Sequence, residues 1–396
     1  PHAPAMATLA DQTASDPCWT LMAGFEAPLA LVQDTLRQRG PIGWAARNNA
    51  KPGRASEECW VVQASPEWSC AHLEDNAETV AAALLAELAE AKGLNLRFEA
   101  AVAGGIPVIK TLMEALAGNG ITRVMGVMNG TCNYILTNME KSGRGYNALF
   151  DECAELGYLE ADPNLDVGGI DASHKLALLA SIAFGTQVDF DAVELEGIQR
   201  IELQDINHAA DMGFRIKLLG VTQMTGRGLE QRMTPCLVPS ASPLGQLEGG
   251  TNMVVIEGNH VEQIVLRGPG AGMGPTASAV MGDVMDIARG IRIPTFGIPA
   301  DQLQKATSAK AASPAPFYLR VGLKDKPGAM AKIATILGEA GISIDRMHQL
   351  GHADETAPVL IVTHKCMRQT LDEALTQIGK SEVVATPPVA LRIENL

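Results

Sequence analysis

Several things are scarce or missing in this chain, and each absence narrows what it does. Its seven cysteines (Cys18, Cys59, Cys70, Cys132, Cys153, Cys236 and Cys366) are scattered, with no CxxC spacing. An odd, dispersed set reads as reduced thiols of a cytoplasmic protein rather than a disulfide framework. No Cys/His cluster has zinc-ligand spacing either. Apolar runs never reach the length of a membrane span. Positive charge is in deficit: 31 Lys and Arg stand against 45 Asp and Glu, a net charge of −14, which excludes nucleic acid and anionic membrane as main partners. The chain opens at Pro1 rather than Met, so its natural start is expected to lie upstream, and no segment has the pattern of a signal peptide. Before Leu94 the glycines are only Gly24, Gly40, Gly43, Gly53 and Gly93, and none makes the GxGxxG turn that holds a dinucleotide pyrophosphate at a helix N-terminus.

What remains is long enough, at 396 residues, for two or three domains. All four tryptophans (Trp19, Trp44, Trp60, Trp68) precede all four tyrosines (Tyr134, Tyr146, Tyr158, Tyr318), a composition shift of the kind two ancestries in one chain would leave. Cys59 to Ala64 reads as a strand after the turn Lys51-Pro-Gly-Arg54. Ala77 to Lys92 reads as a helix closed by Gly93. Phe98 to Pro107 reads as a strand or buried turn leading into another helix. Val254 to Leu266 is strand-rich. A glycine loop, 268–275, then opens a helix from Thr276 to Arg289. Residues 299–316 contain Ala-Ser-Pro-Ala-Pro and read as a linker. Beyond them a β-α-β-β-α-β order predicts a small ferredoxin-like unit.

The densest chemistry lies in Gly157-Tyr-Leu-Glu-Ala-Asp-Pro163 followed by Gly169-Ile-Asp-Ala-Ser-His-Lys175. This segment sets Glu160, Asp162, Asp166 and Asp171 near Lys175, then runs into an apolar helix that places Asp171 and Lys175 one turn apart. A lysine among carboxylates serves as an ammonium anchor or a proton-transfer group. The plain alternative is an i, i+4 surface pair worth a few tenths of a kcal/mol. Other motifs have plain readings too: Glu99 pairing with Arg97 or capping a neighbouring segment, Asn129-Gly130 as a turn, Asp171 as a helix N-cap. His174 should face away from Lys175.

From about Leu94 to its end the chain resembles a bacterial homoserine dehydrogenase with a C-terminal ACT regulatory domain. The resemblance rests on five ordered blocks: Phe98 to Pro107, Asn129-Gly-Thr-Cys-Asn-Tyr-Ile-Leu136, Leu156 to Pro163, Gly169 to Lys175, and Gly270-Ala-Gly-Met-Gly-Pro-Thr-Ala-Ser278. It implies interconversion of aspartate semialdehyde and homoserine with NADP or NAD in threonine and methionine biosynthesis. Lys175 matches the proton donor, and Asp171 an essential acid beside it. Glu160 and Asp166 match substrate-binding carboxylates. Gly157, Gly272, Gly130 and Thr131 match positions at the cofactor. Glu99, with the carbonyls of Val102, Gly104 and Ile106, matches a structural sodium site. Asp325 and Gly328 match the ACT turn where an effector such as threonine binds, and the family suggests a homo-oligomer. The place of a second substrate lysine falls near Asp75. Residues 1–93 resemble instead the C-terminal part of a renalase-like, FAD-dependent amine oxidase, through Gly43 to Arg54 and Cys59 to Ser69.

The expected architecture is therefore mixed α/β and α+β: an amine-oxidase-like fragment over 1–93, a catalytic domain over 94–300 lacking a complete Rossmann domain, a linker over 301–316 and an ACT domain over 317–396. The apolar helix after Gly272 would be exposed unless the N-terminal segment covers it. Two further readings stay open: an inactive remnant whose ACT unit still binds an amino acid, and a flavoenzyme fragment.

Overall fold

A computed structural model describes residues 17–25, 34–51, 58–73, 75, 77–90, 96–159, 162–309, 312–349 and 356–394. They belong to two compact units, one of residues 1–97 with 286–304 and one of residues 98–285 with 305–396.

In the first unit, strands β1 (Thr20–Phe25), β2 (Thr35–Arg39), β3 (Ile42–Arg47) and β4 (Glu58–Ala64) form one sheet in the order β1-β4-β3-β2. All three pairings are antiparallel. Helix α1 (Pro66–Ala71) starts where Ser65 accepts the Trp68 amide proton, a side-chain N-cap with Pro66 in the first turn. Helix α2 (Ala77–Glu90) presents Val80, Leu84 and Leu88 to the buried Ile42, Ala45, Trp60 and Val62 of the sheet. Spacings of four residues put those side chains on one helix face. The predicted end of this helix at Lys92 and Gly93 lies outside the described residues.

The second unit is built on one long mixed sheet. Its strands are β5 (Ile121–Val127), β6 (Glu194–Leu195), β7 (Phe214–Thr225), β8 (Gly228–Pro239), β9 (Thr251–Gly258), β10 (Glu262–Pro269), β11 (Phe317–Lys324), β12 (Ile344–Gln349), β13 (Thr356–Thr363) and β14 (Val384–Ile393). The order is β10-β9-β5-β7-β8-β14-β11-β13-β12, with β6 beside β8. Helices α3 (Gly130–Ser142), α4 (Tyr146–Glu155), α5 (Pro163–Val167), α6 (Ile170–Phe184) and α7 (Leu203–Asp211) belong to its first part, and α8 (Met273–Ala288) follows β10. Period-2 alternation sends Ile216, Leu218, Met233, Leu237, Val254 and Ile256 into one core with Ile135, Leu176 and Leu179 of the helices. The opposite parity, Met125, Leu219, Val221, Cys236 and Val255, forms a second core with Leu244 and Leu247.

The predicted ferredoxin-like pattern is present, with α9 (Ala329–Glu339) and α10 (Arg368–Gly379) between its strands. Its last strand pairs in parallel with β8, Arg392 opposite Cys236 and Ile393 opposite Leu237, so both parts of the unit share one sheet. The segment read as a linker is tied down in its later half. Ser308 bridges to Leu229, Ala315 bridges to Cys366, and the Ser313 amide and hydroxyl both donate to Glu230 Oε2, at 3.0 and 2.8 Å. Phe98 to Pro107 is no strand. It forms a 3-10 turn at Glu99–Ala101 and bends through Ala103 and Gly104, both with positive φ, into a helical segment from Val108. On α8, Val280, Met281, Val284 and Met285 are exposed. No helix among the described residues is long and apolar enough to cross a membrane.

Candidate active site

The carboxylate-rich segment becomes one wall of a cleft in the second unit. Strand β5 ends at Val127, and Met128 and Asn129 carry the chain to the N-terminus of α3. Asn129 caps that helix by accepting the Cys132 amide proton at 2.8 Å. Asn129 is thus a helix cap rather than a plain turn residue. The other end of its amide donates to Asp166 Oδ1 at 2.9 Å, fixing a carboxylate that is 5% exposed. The Cys132 thiol donates to the Asp166 carbonyl at 3.3 Å. Burial, and then the nearby charges of Asp166 and Asp171, push this thiol well above its usual pKa, so it is no nucleophile.

Helix α6 supplies the lysine. Its N-cap is Gly169, at φ 80°, so Asp171 is a first-turn acid and not the cap. Ala172, Leu176, Leu179 and Ala180 bury one face of the helix. Lys175 Nζ lies 2.7 Å from Asp171 Oδ2, the expected one-turn pair, and donates to the Met128 carbonyl at 3.4 Å. His174 is exposed and meets the edge of Phe190, away from the lysine.

The cleft, about 560 Å³, brings together seven residues that the sequence singles out: Gly130, Thr131, Gly157, Asp166, Asp171, Lys175 and Gly272. Glu160 lies outside the described residues. Sequence reasoning did not single out Tyr134, Tyr158 or Asn252, which also line it. The Thr131 hydroxyl donates to the Tyr158 carbonyl at 3.0 Å, and Tyr134 packs edge-on against Tyr158 while its hydroxyl donates to Glu152 at 2.7 Å. A lone asparagine carries no periodic signal. Asn129 had a local one, standing just before a helix start.

Glycine is needed where the cleft wall is thinnest. A Cβ on Gly130 would lie 2.7 Å from the Gly250 carbonyl oxygen, and one on Gly270 would lie 1.9 Å from Asn252 Nδ2. The backbone itself forms this wall, so a flat group can approach it closely.

The sodium candidates lie in the same unit. Glu99 is buried and accepts the Ile109 and Lys110 amide protons at 2.9 and 2.8 Å, so it caps a neighbouring helical segment, as its plain reading held. Burial raises its pKa above 4.5 despite those two hydrogen bonds, and Asp283 adds to the rise. The Ile106 carbonyl accepts the Val108 amide proton at 2.7 Å, and Gly104 sits at φ 50°. In the ferredoxin-like part, Gly328, at φ 85°, is the N-cap position of α9 and lies just after Asp325 in the same turn.

An ammonium paired with one acid, beside a second acid held by an amide and against a glycine wall, suits an enzyme acting on a small polar substrate. The appended β-α-β-β-α-β unit marks it as one with a regulatory module. The homoserine dehydrogenase family profile matches residues 107–285, and the ACT domain profile matches residues 317–382. A homoserine dehydrogenase of Neisseria gonorrhoeae is 40% identical over 317 residues, covering 78% of this chain and 73% of that protein. The Bacillus subtilis homoserine dehydrogenase is 37% identical over 315 residues, 78% of this chain and 72% of that one. The crystal structure of a homoserine dehydrogenase from Thiobacillus denitrificans superposes with a TM-score of 0.74 at 36% identity, covering 80% of this chain and 74% of that chain. The chain belongs to the homoserine dehydrogenase family of oxidoreductases and carries an ACT domain. Neither profile reaches residues 1–93, and the amine-oxidase resemblance of that segment finds no support in these matches.

Proposed function

We propose that the cleft interconverts L-aspartate 4-semialdehyde and L-homoserine, with Lys175 as the proton donor. The observation that carries this is the Lys175 ammonium, 2.7 Å from Asp171, in the same cleft as Asp166. As the aldehyde carbon is reduced, negative charge grows on its oxygen. An ammonium beside that oxygen stabilises the charge and delivers the proton; in the oxidative direction Lys175 takes the proton back. Asp171, 2.7 Å away, orients Lys175. Asp166, held by Asn129, adds its charge to the substrate pocket, where by resemblance Glu160 holds the amino group. Holding both ends keeps the reacting atoms in line.

NADP or NAD, when bound, supplies or accepts the hydride. The residues present fit its nicotinamide end: a backbone wall at Gly130, Gly250 and Gly270, where no side chain intrudes. Gly157, Gly272 and Thr131 line the same space. Sodium fits at Glu99 on donor chemistry: a buried carboxylate beside Asp283, with the Val102, Gly104 and Ile106 carbonyls near in sequence, offers the hard oxygens such an ion takes. Threonine is the effector proposed for the ACT turn at Asp325 and Gly328. The antiparallel sheet of the first unit supplies no doubly wound pyrophosphate site among its described residues, which supports weak nucleotide binding. The test is homoserine-dependent reduction of NADP by purified protein, with Lys175→Ala as control. Equal rates in both would overturn the role of Lys175.

A further inference from the structure

We infer that Asn129 is a positioning residue for the substrate: its amide ties Asp166 to the end of β5, where Met128 meets Lys175. The inference rests on the substrate pocket proposed above. Three observations carry it. Asn129 and Asp166 are each 5% exposed and lie 2.9 Å apart, Nδ2 to Oδ1, so the bond is buried and its acceptor is a carboxylate, the stronger kind. Second, the amide cannot turn over. Its Oδ1 accepts the Cys132 amide proton at 2.8 Å, which leaves the NH2 end facing Asp166. Third, the preceding residue, Met128, accepts from Lys175 Nζ through its carbonyl at 3.4 Å. Two consecutive residues therefore touch the proton donor and the second acid, which come from different helices, α6 and α5.

The residue type sharpens the point. A helix start takes Ser, Thr, Asp or Asn as its capping side chain. Ser and Thr carry one oxygen on a shorter stem, and once that oxygen serves the cap nothing extends toward Asp166. Asp caps equally well but meets Asp166 with a second carboxylate, a pair that repels when both are charged. Asn alone accepts at one end and donates at the other. Capping would be met by any of the four; the donor aimed at Asp166 requires Asn.

Variants that keep the cap separate the two roles. Homoserine-dependent reduction of NADP by the full chain is followed at one fixed NADP concentration. Asn129→Ser keeps the cap and loses the donor, so the homoserine KM should rise about tenfold or more while kcat changes far less. Asn129→Asp regains a donor only while the carboxylate pair holds a proton. Its homoserine KM should therefore match wild type at low pH and climb above it as pH rises. The titratable groups described around the pair are Cys132 on α3, Cys153 on α4, Asp162 at the start of α5, Asp171 and Lys175 on α6, and Tyr158. All are present in both proteins, and burial pushes both thiols up, so the ratio of the two KM values reports the pair. A pure capping role predicts lower melting temperatures and an unchanged KM. An unchanged KM in Asn129→Ser, or a KM ratio for Asn129→Asp that stays flat with pH, overturns the inference and leaves the proposed function standing. Wild-type protein without homoserine-dependent turnover removes that reading and this inference with it.

Discussion

Arg320 of β11 grips Asp205 of α7 with two hydrogen bonds, Nε to Oδ1 at 2.7 Å and Nη2 to Oδ2 at 3.1 Å, around a carboxylate that is 0% exposed. The Tyr318 hydroxyl donates to the same Asp205 oxygen at 3.1 Å. The pair fastens the ACT part to the helical side of the catalytic part. A buried pair of this kind adds little net stability over an apolar pair, yet removing one partner strands a charge. Arg320→Met should therefore lower the unfolding free energy by about 3 to 5 kcal/mol. Asp205→Leu combined with Arg320→Met should recover part of that loss, less the cap that Asp205 provides to the Glu202 amide. Denaturant titration of the two variants checks it; a loss under about 1 kcal/mol, the worth of a surface pair, would show the pair to be solvated.

Lys217 gives a pH signature. It is 3% exposed and donates to Asn133 Oδ1 at 2.8 Å and to the Leu247 carbonyl. Burial, with Arg215 nearby, pulls its pKa from 10.5 down to about 8. The folded state therefore binds fewer protons than the unfolded state between pH 8 and 10.5. The cost of the buried charge is fully present below pH 8 and is relieved as pH rises toward 10.5, by roughly 3 kcal/mol at most. Relative to Lys217→Met, wild-type stability should climb over that window. A difference that stays flat from pH 7 to 10 would sink the reading.

Lys175→Ala separates catalysis from folding. The Lys175–Asp171 pair is an i, i+4 contact with side chains 18% and 38% exposed, so its loss costs only a few tenths of a kcal/mol. Loss of the proton donor should lower kcat by about 10² to 10⁴. Homoserine affinity should change little, because Asp166 remains. Asp166→Ala should do the reverse and act chiefly on KM. Steady-state kinetics of both variants, beside their melting curves, provide the check.

These residues differ in how openly the sequence announces them. The ACT part was legible in its order of elements because its signals are local: alternating apolar residues, Lys326-Pro-Gly328 and Gly341 at turns, and helices with one apolar face. One strand escaped. Thr386-Pro-Pro388 hid the first half of β14, which starts at Val384, because proline lacks the donor a strand uses. Its pairing with β8 escaped too, since nothing in either strand names its partner. Buried charges were equally hidden. Arg232 and Glu230 in β8 meet Glu394 and Ser313 far along the chain, and polar letters in a strand read as solvent-facing. In the cleft, the Asp171–Lys175 spacing told its own story. The Asn129–Asp166 bond and the orphaned Asn252 oxygen exist only once β5, α5 and β9 come together.

The threonine binding proposed for the ACT part needs a point variant as its test. Removing residues 317–396 would also remove β14 and Glu394, which holds Arg123 and Arg232 of the catalytic part, and would confound the result. Threonine at about 100 times its Kd should add about 2.7 kcal/mol to stability and raise the melting temperature. Asp325→Ala, at an exposed position of the turn before α9, should abolish that shift while leaving the ligand-free melt almost unchanged. An undiminished shift in Asp325→Ala would move the effector site elsewhere.

Nucleotide affinity is the last expectation, and it sets how much turnover this chain supports. The proposed nicotinamide wall, Lys175 and the held Asp166 all line one cleft on the second unit. Pyrophosphate is ordinarily held at a glycine turn where a parallel strand meets a helix N-terminus. The first unit pairs its described strands only in antiparallel fashion, and the sequence before Leu94 has no GxGxxG. Binding energy from the remote part of a cofactor normally supports the reacting end, so its loss weakens both affinity and rate. The dissociation constant for NADPH should accordingly exceed about 1 mM, the upper end of ordinary KM values. Turnover of homoserine with NADP should fall below the ordinary range of about 1 to 10³ s⁻¹. Ligand-observed NMR and a coupled assay read the two quantities separately. Micromolar binding with ordinary turnover would mean that the first unit supplies a pyrophosphate site of another kind.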